Sequence, residues 1–342
     1  MGGRDSYEAS VQSALARIAE HVPEDIVAQF AEKSGITRND IRPISPGHPG
    51  LVSAVDGSNV MILEGGTIAL AAIRAARTTF NGAARTGRAT TPILLVTIGP
   101  ERHNRDFEDL FRECFGIPPH KGLDNSDPLR ASDILRDTLE YWVTLKAAET
   151  MPAGSLLLMD GALRVSNQNH EPVLTDIIRK AGERGLLLAA VAKRTKATWG
   201  NGHPLLPALM GLAQKSGVSG MWWTKIDPHL LDNTEYRQGR HGEIYVASLH
   251  PRMTRLMKIE LPRGISEDTA EKTMQALAKC ADDGRIPGYP YPLFDAHRAV
   301  VIDEAIATQV QQDIKGGLAR QGIQNRLFED LFGDLHDDFD RY

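Results

Sequence analysis

Two apolar runs of the chain end in the same dipeptide, Asp-Gly, and this repeat constrains the fold more than any other feature. Residues 51–55 read Leu-Val-Ser-Ala-Val and lead into Asp56. Residues 155–159 read Ser-Leu-Leu-Leu-Met and lead into Asp160. An apolar run that meets a carboxylate is typical of a buried strand that leaves the core. We therefore expect two strands that place Asp56 and Asp160 side by side at one edge of a sheet.

Paired carboxylates of this kind are candidate metal ligands. They repel each other unless a cation lies between them, and hard divalent cations such as Mg²⁺ and Mn²⁺ prefer oxygen ligands. The alternative is that each Asp-Gly is an ordinary turn, because both residue types are common in turns. Residues 60–63 are the candidate hairpin partner of the strand that ends at Asp56, around a turn at residues 56–59.

Composition bounds the class of protein. The 342 residues are 42% hydrophobic and 24% charged, as in globular proteins with one large domain or two domains. No apolar run approaches the roughly 20 residues that span a bilayer, so we expect a cytoplasmic protein without a membrane segment. Cys114 and Cys280 are too few for a disulfide framework or a structural zinc site. The net charge of −5 leaves any nucleic-acid binding to local basic patches.

Apolar periodicity predicts alternating helices and strands, and hence an α/β domain with a mixed sheet. The clearest helix covers residues 129–150, with Asp127 and Pro128 as its start signal. The strands predicted at residues 243–249 and 256–261 alternate apolar and polar residues, which predicts that one of their faces is exposed. Further helices are predicted at residues 7–34, 104–115, 173–184, 205–215, 267–280 and 294–315, and strands at residues 51–56, 92–98, 156–159, 186–191, 243–249 and 256–261.

A stretch rich in proline and glycine, residues 42–50, predicts a boundary near the N-terminus. We expect an N-terminal helical arm over residues 1–48 and a main domain over residues 49–315. Residues 316–342 form a tail that alternates acidic and large apolar residues.

Three further side chains are candidates for chemistry at the strand ends, where ligands of such sheets gather. Glu140, just off the apolar stripe of the helix at residues 129–150, is the preferred third oxygen ligand, and Glu149 is the alternative. Lys193 follows the apolar run 186–191, where it could neutralise a phosphate or orient a water. His297 could bind a metal or shuttle a proton. Taken singly, a helix glutamate or histidine is more often only solvated.

The motifs around these residues resemble those of the NurA nucleases. The resemblance covers roughly residues 49–303, and its last motif is the most specific because it is long and unusual. Ala162 stands where family members often have serine. The matching segments are Val55-Asp56-Gly57-Ser58, Leu158-Met159-Asp160-Gly161-Ala162-Leu163, the strand end at Lys193, and Tyr289-Pro290-Tyr291-Pro292-Leu293-Phe294-Asp295-Ala296-His297.

The resemblance implies an RNase H-like fold, a mixed sheet flanked by helices, and a two-metal, Mn²⁺-dependent deoxyribonuclease, with Mg²⁺ as a possible substitute. The activity expected is a single-stranded DNA endonuclease, a 5′–3′ exonuclease, or both. The resemblance also implies a homodimer that processes DNA ends with the hexameric ATPase HerA. The catalytic set would be Asp56, Glu140, Asp160, Lys193, Tyr289 and His297, of which Asp56, Glu140, Asp160 and His297 would bind metal.

An acidic nuclease must hold DNA through local basic groups. Lys193, Arg194 and Lys196 beside the site are candidates, as are Arg252 and Arg255, with Lys258 nearby. The pair Trp222-Trp223 could stack on unpaired bases, although core packing is the favoured interpretation. The apolar residues of the tail could dock on the ATPase, lie over the DNA channel, or pack on their own domain. They are Leu327, Phe328, Leu331, Phe332, Leu335 and Phe339.

Two rival functions remain at this point. The chain lacks a Walker A lysine motif and a Gly-x-Gly-x-x-Gly after a strand, so we expect no nucleotide hydrolysis. A non-catalytic adaptor of a ring ATPase is one rival. The other is an RNase H-like nuclease that acts on RNA, or a metal phosphoesterase that acts on small molecules.

Overall fold

The computed structural model describes residues 3–20, 25–65, 68–99, 105–233 and 241–322. Its strands are β1 Arg42–Pro43, β2 Leu51–Glu64, β3 Ala69–Asn81, β4 Ala84–Thr90, β5 Leu94–Ile98, β6 Leu156–Asp160, β7 Leu187–Ala192, β8 Thr198–Trp199, β9 His203–Pro204, β10 Trp222–Ile226, β11 Gly242–Ser248 and β12 Met257–Pro262. Its α-helices are α1 Gly3–Glu20, α2 Ile26–Ser34, α3 Arg105–Phe115, α4 Pro128–Thr150, α5 Glu171–Glu183, α6 Leu205–Lys215, α7 Glu267–Cys280, α8 Tyr291–Val300 and α9 Glu304–Arg320.

Within the described residues, ten strands form one mixed sheet in the order β1-β10-β11-β12-β7-β6-β2-β3-β4, with β5 also paired to β3. The neighbours β2, β6 and β7 are parallel, and the other pairs are antiparallel. Val55 lies opposite Met159, and Asp160 lies opposite Val191. The carboxyl ends of the three parallel strands therefore meet at one edge. The mixed sheet flanked by helices confirms the predicted fold class.

Two apolar cores cover the two faces of the sheet. Successive side chains of a strand point to opposite faces, so Leu157 and Met159 join the core under α3, α4 and α5. Leu156 and Leu158 join the core under α7 and α8. Strands buried on both faces read as continuous apolar runs, which is why β6 and β7 were recognisable in the sequence. A third cluster packs α2 on α6, with the Phe30 and Trp199 ring centroids 5.0 Å apart.

The hairpin predicted at Asp56 is wrong. Strand β2 continues through Asp56 and Gly57 as a single strand of 14 residues. Its partner is β3, which pairs with it from Leu51 to Glu64 apart from one irregularity between Met61 and Leu63. The local turn chemistry of Asp-Gly is overridden because β3 offers ladder hydrogen bonds along the whole strand.

Two other predictions need correction. The single helix predicted at residues 294–315 is two helices, because the Asp303 side chain accepts a hydrogen bond from the backbone N–H of Ile306 (2.9 Å) and caps α9. Strands β11 and β12 lack the predicted exposed face: Tyr245 lies in the core under α7 and α8, and Ile244 lies in the α2–α6 cluster. The helix predicted at residues 129–150 matches α4, and its cap is Asp127 as predicted, which accepts from Arg130 N (3.1 Å).

Part of the predicted tail, from residue 323 onward, lies outside the described residues. None of the helices in the described part of the chain has the length and apolar character needed to cross a membrane.

Candidate active site

The two predicted aspartates lie next to each other, and a lysine ammonium bridges them. Lys193 Nζ lies 3.2 Å from Asp56 Oδ2 and 2.9 Å from Asp160 Oδ2. The three side chains come from β2, from the end of β6, and from the residue after β7. The cation expected between the carboxylates is therefore supplied by the chain itself in this structure.

The parallel register explains why these three residues converge. Asp56 follows Val55, which pairs with Met159, and Asp160 pairs with Val191. Strand alternation then directs Asp56, Asp160 and Lys193 to the face of the sheet that α7 and α8 cover. Here β2 runs on beyond the ends of its parallel neighbours, so Asp56 is mid-strand and not at a strand end as predicted.

His297 reaches the same carboxylate from α8. Its Nδ1 lies 2.9 Å from Asp56 Oδ2 and 3.3 Å from Lys193 Nζ. The Asp56 side chain is 5% exposed, whereas that of His297 is 49% exposed. Asp56 is therefore the buried centre of the group, and His297 lies on its open side.

Glu140 approaches from the opposite face of the sheet, through the space left by Gly57. A methyl group built at Gly57 would lie 3.0 Å from Glu140 Oε2 and 2.8 Å from Arg136 Cγ. Gly57 has no left-handed backbone angle, so its role is close packing of α4 on β2. Burial raises the pKa of Glu140 well above its usual range, and the charges of Asp137 and Asp56 raise it further.

Glu149, the alternative helix ligand, is engaged elsewhere. Its carboxylate pairs with Lys180 at 2.6 Å and with Lys146 at 3.0 Å. The hydrogen bond from Lys180 is the main reason that the pKa of Glu149 is lowered. The structure thus brings Glu140 to the aspartates and leaves Glu149 in a surface ion pair.

Tyr289 lies just before α8 and is half-buried. Its hydroxyl is buried and has no hydrogen-bond partner in the structure. Burial raises the pKa of Tyr289, and the charges of Asp160 and Asp56 add to the shift. The phenol is therefore a neutral donor close enough to sense both aspartates.

Burial and the charge of the ion-pair partner have opposite effects on the pKa values of Asp160 and Lys193. Burial raises the pKa of Asp160, and Lys193 opposes this while Asp56 reinforces it. Burial alone would lower the pKa of Lys193, but the charges of Asp160 and Asp56 raise it. The ammonium is therefore held in its charged form against the carboxylates.

A cleft of about 990 Å³ contains the site and extends to both sides of the sheet edge. Seven lysine and arginine residues line it against four carboxylates, a net charge of +3 with His297 neutral, whereas the whole chain carries −5. The charge of Lys258 is matched by the buried Glu260, which does not line the cleft, and this leaves an excess of +2. The basic residues are Arg130, Arg136, Arg164, Lys193, Arg194, Lys196 and Lys258, and the acidic ones are Asp56, Asp137, Glu140 and Asp160. Positive charge is thus concentrated in this cleft.

Sequence reasoning missed three of these cations, Arg130, Arg136 and Arg164. Arg136 lies four residues before Glu140 on the same helix, a spacing that places both side chains on one face. That spacing was the available signal. Arg164, four residues beyond Asp160, had no comparable signal because its position depends on the loop after β6.

The predicted DNA-binding residues separate into two groups. Arg194, Lys196 and Lys258 line the cleft with Lys193. Arg252 and Arg255 are exposed on the loop between β11 and β12, outside the cleft. Trp222 and Trp223 are only 3% and 4% exposed, so they are core residues, as the favoured interpretation had it, and are not available to stack on bases.

The site has donors that fit a divalent metal. In the described residues no group of three histidine, cysteine, aspartate or glutamate side chains forms a ready-made metal site. However, Asp160 Oδ1 is buried without a hydrogen-bond partner, which leaves it free to coordinate. Three carboxylates and an imidazole also match the ligands that Mn²⁺ accepts.

The mixed sheet and its flanking helices define an RNase H-like fold. Residues 50–302 match the model of the NurA domain family. The chain belongs to this family. A comparison with curated proteins finds no match.

Solved structures agree with this assignment at the level of the fold. The NurA nuclease from Sulfolobus solfataricus matches with a TM-score of 0.60 and 13% identity, over 94% of this chain and 98% of that one. Another NurA structure matches with a TM-score of 0.53 and 12% identity, over 90% and 97%. A structure described as NurA bound to dAMP and manganese has a TM-score of 0.49 and 10% identity, over 89% and 95%.

Proposed function

We propose that the protein is a metal-dependent nuclease that hydrolyses phosphodiester bonds of DNA. The observation that carries the proposal is the cleft, where a basic lining surrounds the buried Asp56 and three half-buried acidic residues in an otherwise acidic chain. A basic groove attracts the phosphate backbone of a nucleic acid. Acidic residues at its centre would repel that backbone and favour metal binding instead. Membership of the NurA domain family supports the same activity.

Each residue of the site has a role in this proposal. Asp56, Asp160, Glu140 and His297 would hold two divalent cations, Mn²⁺ or Mg²⁺, since His297 contacts Asp56, Lys193 joins Asp56 to Asp160, and Glu140 approaches the adjacent Gly57. When bound, the metals would lower the pKa of the attacking water and stabilise the leaving oxygen. Tyr289 would donate its unpaired hydroxyl to a phosphate oxygen.

Lys193 has a double role in the proposal. Its ammonium pairs with both Asp56 and Asp160. A divalent cation competes for the same oxygens, and a displaced ammonium would be available to a phosphate, as the sequence suggested. Arg194 and Lys196 continue the basic wall beyond it.

The resemblance to the family motivates the finer features that we propose. They are action on single strands as an endonuclease or a 5′–3′ exonuclease, dimer formation, and DNA end processing with a HerA-like hexameric ATPase. A partner of this kind would supply the strand separation for which the sequence has no nucleotide-binding motif. Each of these features is part of the proposal.

One assay tests the proposal. End-labelled single-stranded DNA, blunt duplex DNA and RNA are incubated with the full chain and with Mn²⁺, Mg²⁺ or a chelator. We expect Mn²⁺-dependent cleavage of single-stranded DNA, weak cleavage of blunt duplex, and stimulation on duplex by a HerA-like hexamer with ATP.

The Asp160→Asn variant is the control, because it keeps the shape of the side chain and removes its charge. Cleavage by this variant at the wild-type rate would show that the activity is a contaminant. Cleavage of RNA alone would favour the RNA nuclease. A wild-type chain that cuts nothing but stimulates the ATPase would favour the adaptor.

A further inference from the structure

A buried ion pair lies beside the site on β12, outside the set of residues that the proposed chemistry uses. Lys258 Nζ lies 2.5 Å from Glu260 Oε1, and the two side chains are only 4% and 0% exposed. Desolvation makes such a pair a weak source of stability, because apolar residues of the same size often do as well. Lys258 also lines the catalytic cleft. The pair therefore calls for a role other than holding β12 in place.

The second oxygen of Glu260 binds the loop that follows Asp160. Glu260 Oε2 accepts a hydrogen bond from the backbone N–H of Leu163 at 3.0 Å. The carbonyl of Leu163 accepts from the N–H of His241, also at 3.0 Å. Gly242 makes room for this contact, because a methyl group there would lie 3.1 Å from Glu260 Oε2 and 3.1 Å from the Leu163 side chain. Both backbone groups of the fully buried Leu163 are thus fixed.

The rest of the loop is held by the neighbouring elements. The N–H of Gly161, in a left-handed turn with φ 91°, donates to Val191 O at 3.0 Å. The Tyr141 hydroxyl of α4 donates to Arg164 O at 3.0 Å. The loop begins at Asp160 and contains Arg164, one of the cations that line the cleft. Leu163 is the point at which β11 and β12 are tied to both.

We propose that Lys258 and Glu260 are positioning residues. Glu260 fixes Leu163 and, through the loop, the direction of the Asp160 carboxylate and the position of Arg164. Lys258 holds the Glu260 side chain in the conformation that the hydrogen bond to Leu163 requires. The consequence for activity rests on the proposed function, whereas the consequence for the loop does not.

The decisive variant is the double substitution Lys258→Met/Glu260→Met. It removes both charges and fills similar space, so β12 should fold, and any fall in the melting temperature should come from the Leu163 N–H that loses its acceptor. It also removes the acceptor of Leu163. Glu260→Gln is the conservative partner, since its amide oxygen can still accept from Leu163. Lys180→Met is the matched control, because the pair of Lys180 with Glu149 lies away from this loop.

The first readout is hydrogen exchange of the metal-free protein in the segment 161–166. We expect exchange at Leu163 to become at least tenfold faster in the double variant, to recover at least partly in Glu260→Gln, and to be unchanged in Lys180→Met. Unchanged protection of Leu163 in the double variant would overturn the proposal, as would equal exchange in the double variant and Glu260→Gln. This readout needs no nuclease activity.

The second readout is the Mn²⁺ concentration that gives half-maximal cleavage. Partners that orient metal ligands typically change affinity or activity by about 10–100-fold when removed, and we expect a rise of that size in the double variant. A merely structural role predicts wild-type metal dependence wherever the variant is folded. A wild-type protein that cuts no nucleic acid, with a faster-exchanging Leu163 in the double variant, would refute the proposed function and leave the positioning role intact.

Discussion

Helices α4 and α8 pack on opposite faces of β2 and each brings one side chain to the same buried aspartate. From α4, Glu140 reaches over Gly57, and from α8, His297 contacts Asp56 directly. Both helices pack on apolar cores, but they differ in the polar contacts that add to this packing. Helix α4 has 23 residues, ten of them buried, in the core with α3 and α5.

Helix α8 has only ten residues, and hydrogen bonds and ion pairs join it to the hairpin β3–β4. Thr78 Oγ1 donates to Pro292 O at 3.0 Å near its start, and Arg74 binds the carbonyls of Val300 and Val301 at its end. In its middle, Asp295 accepts from Arg88 at 2.6 Å and from Arg85 at 3.1 Å.

Only some parts of the site have a local signal in the sequence. Apolar periodicity predicts α4. Glu140 could therefore be identified by its position beside the apolar stripe of that helix. The hydrogen bonds that place α8 join residues more than 200 positions apart in sequence, and no periodicity encodes them. A change in α4 should therefore act on Glu140 and on its cleft-lining neighbours in the same helix, whereas a change in β4 should act on His297 from a distance.

The largest expected effect is loss of the Glu140 charge. Glu140→Gln keeps the size of the side chain but removes a metal ligand, which is worth several kcal/mol in such sites. We expect cleavage to slow by about a thousandfold or more, measured as the single-turnover rate in Mn²⁺. Glu149→Gln is the matched control on the same helix and should stay within about threefold of the wild type, because only a surface ion pair is lost. The reverse ranking of the two variants would disprove the assignment of Glu140.

Gly57 shows where sequence reasoning succeeded and where it did not. The apolar runs were sufficient to predict the buried strands around Asp56 and Asp160, and the long C-terminal motif was sufficient to single out His297. The same reasoning took Gly57 as part of a turn. Its actual role is to let α4 approach, and that role depends on a helix some 80 residues further along the chain. A contact at such a distance has no local pattern.

The basic lining of the cleft was only partly predictable for the same reason. Arg194 and Lys196 were found because they follow the same strand as Lys193. Arg164 and Lys258 line the cleft only because β6 and β12 flank β7 in the sheet, and the strand order of a mixed sheet is not written in any one segment.

A second prediction concerns the packing of α4 against β2. In Gly57→Ala the new methyl group would lie 2.8 Å from Arg136 Cγ and 3.0 Å from Glu140 Oε2, so both side chains must move. We expect a loss of about 10–100-fold in cleavage rate, the range seen when the support of a metal ligand is removed. Gly87→Ala on β4 is the control, because a methyl group there would lie 3.7 Å from its nearest neighbour, Thr79 Cβ, which is an ordinary contact distance. Equal rates for the two variants would mean that Glu140 does not need this gap.

A third prediction tests the fastening of α8. Asp295→Asn leaves the shape of the side chain but removes the charge that Arg85 and Arg88 share. The carboxylate is buried and the arginines are nearly half exposed, so we expect a loss of about 1–3 kcal/mol in the free energy of unfolding. Cleavage should fall about tenfold through His297. Arg112→Gln, which removes an exposed ion pair on α3, should change neither quantity. A fully active Asp295→Asn variant would show that the core under α8 is enough to place His297.

The smallest effect on cleavage is expected from His170, which supports α4 from beneath. Its Nε2 lies 2.8 Å from Thr138 Oγ1, and its ring packs 5.0 Å from that of Tyr141. Burial lowers the pKa of His170 from 6.5 to about 4. Between these values the unfolded chain binds a proton that the folded chain does not, so stability falls as the pH drops from about 6.5 towards 4. Each unit of difference in pKa corresponds to about 1.4 kcal/mol.

The contribution of His170 should reach about 2 kcal/mol at pH 5, measured as the extra loss in the free energy of unfolding between pH 7 and pH 5. In His170→Gln that extra loss should vanish, although the variant starts from a lower stability at pH 7. The difference between the two chains isolates this residue, because every other titrating group is common to both. Cleavage at pH 7 should change by less than about threefold, since His170 supports α4 at Thr138 and Tyr141 and not at Glu140. An equal pH dependence of the free energy of unfolding in both chains would mean that His170 is hydrated or protonated in the folded state. The packing of α4 on β2 would then be no more sensitive to acid than the packing of α8.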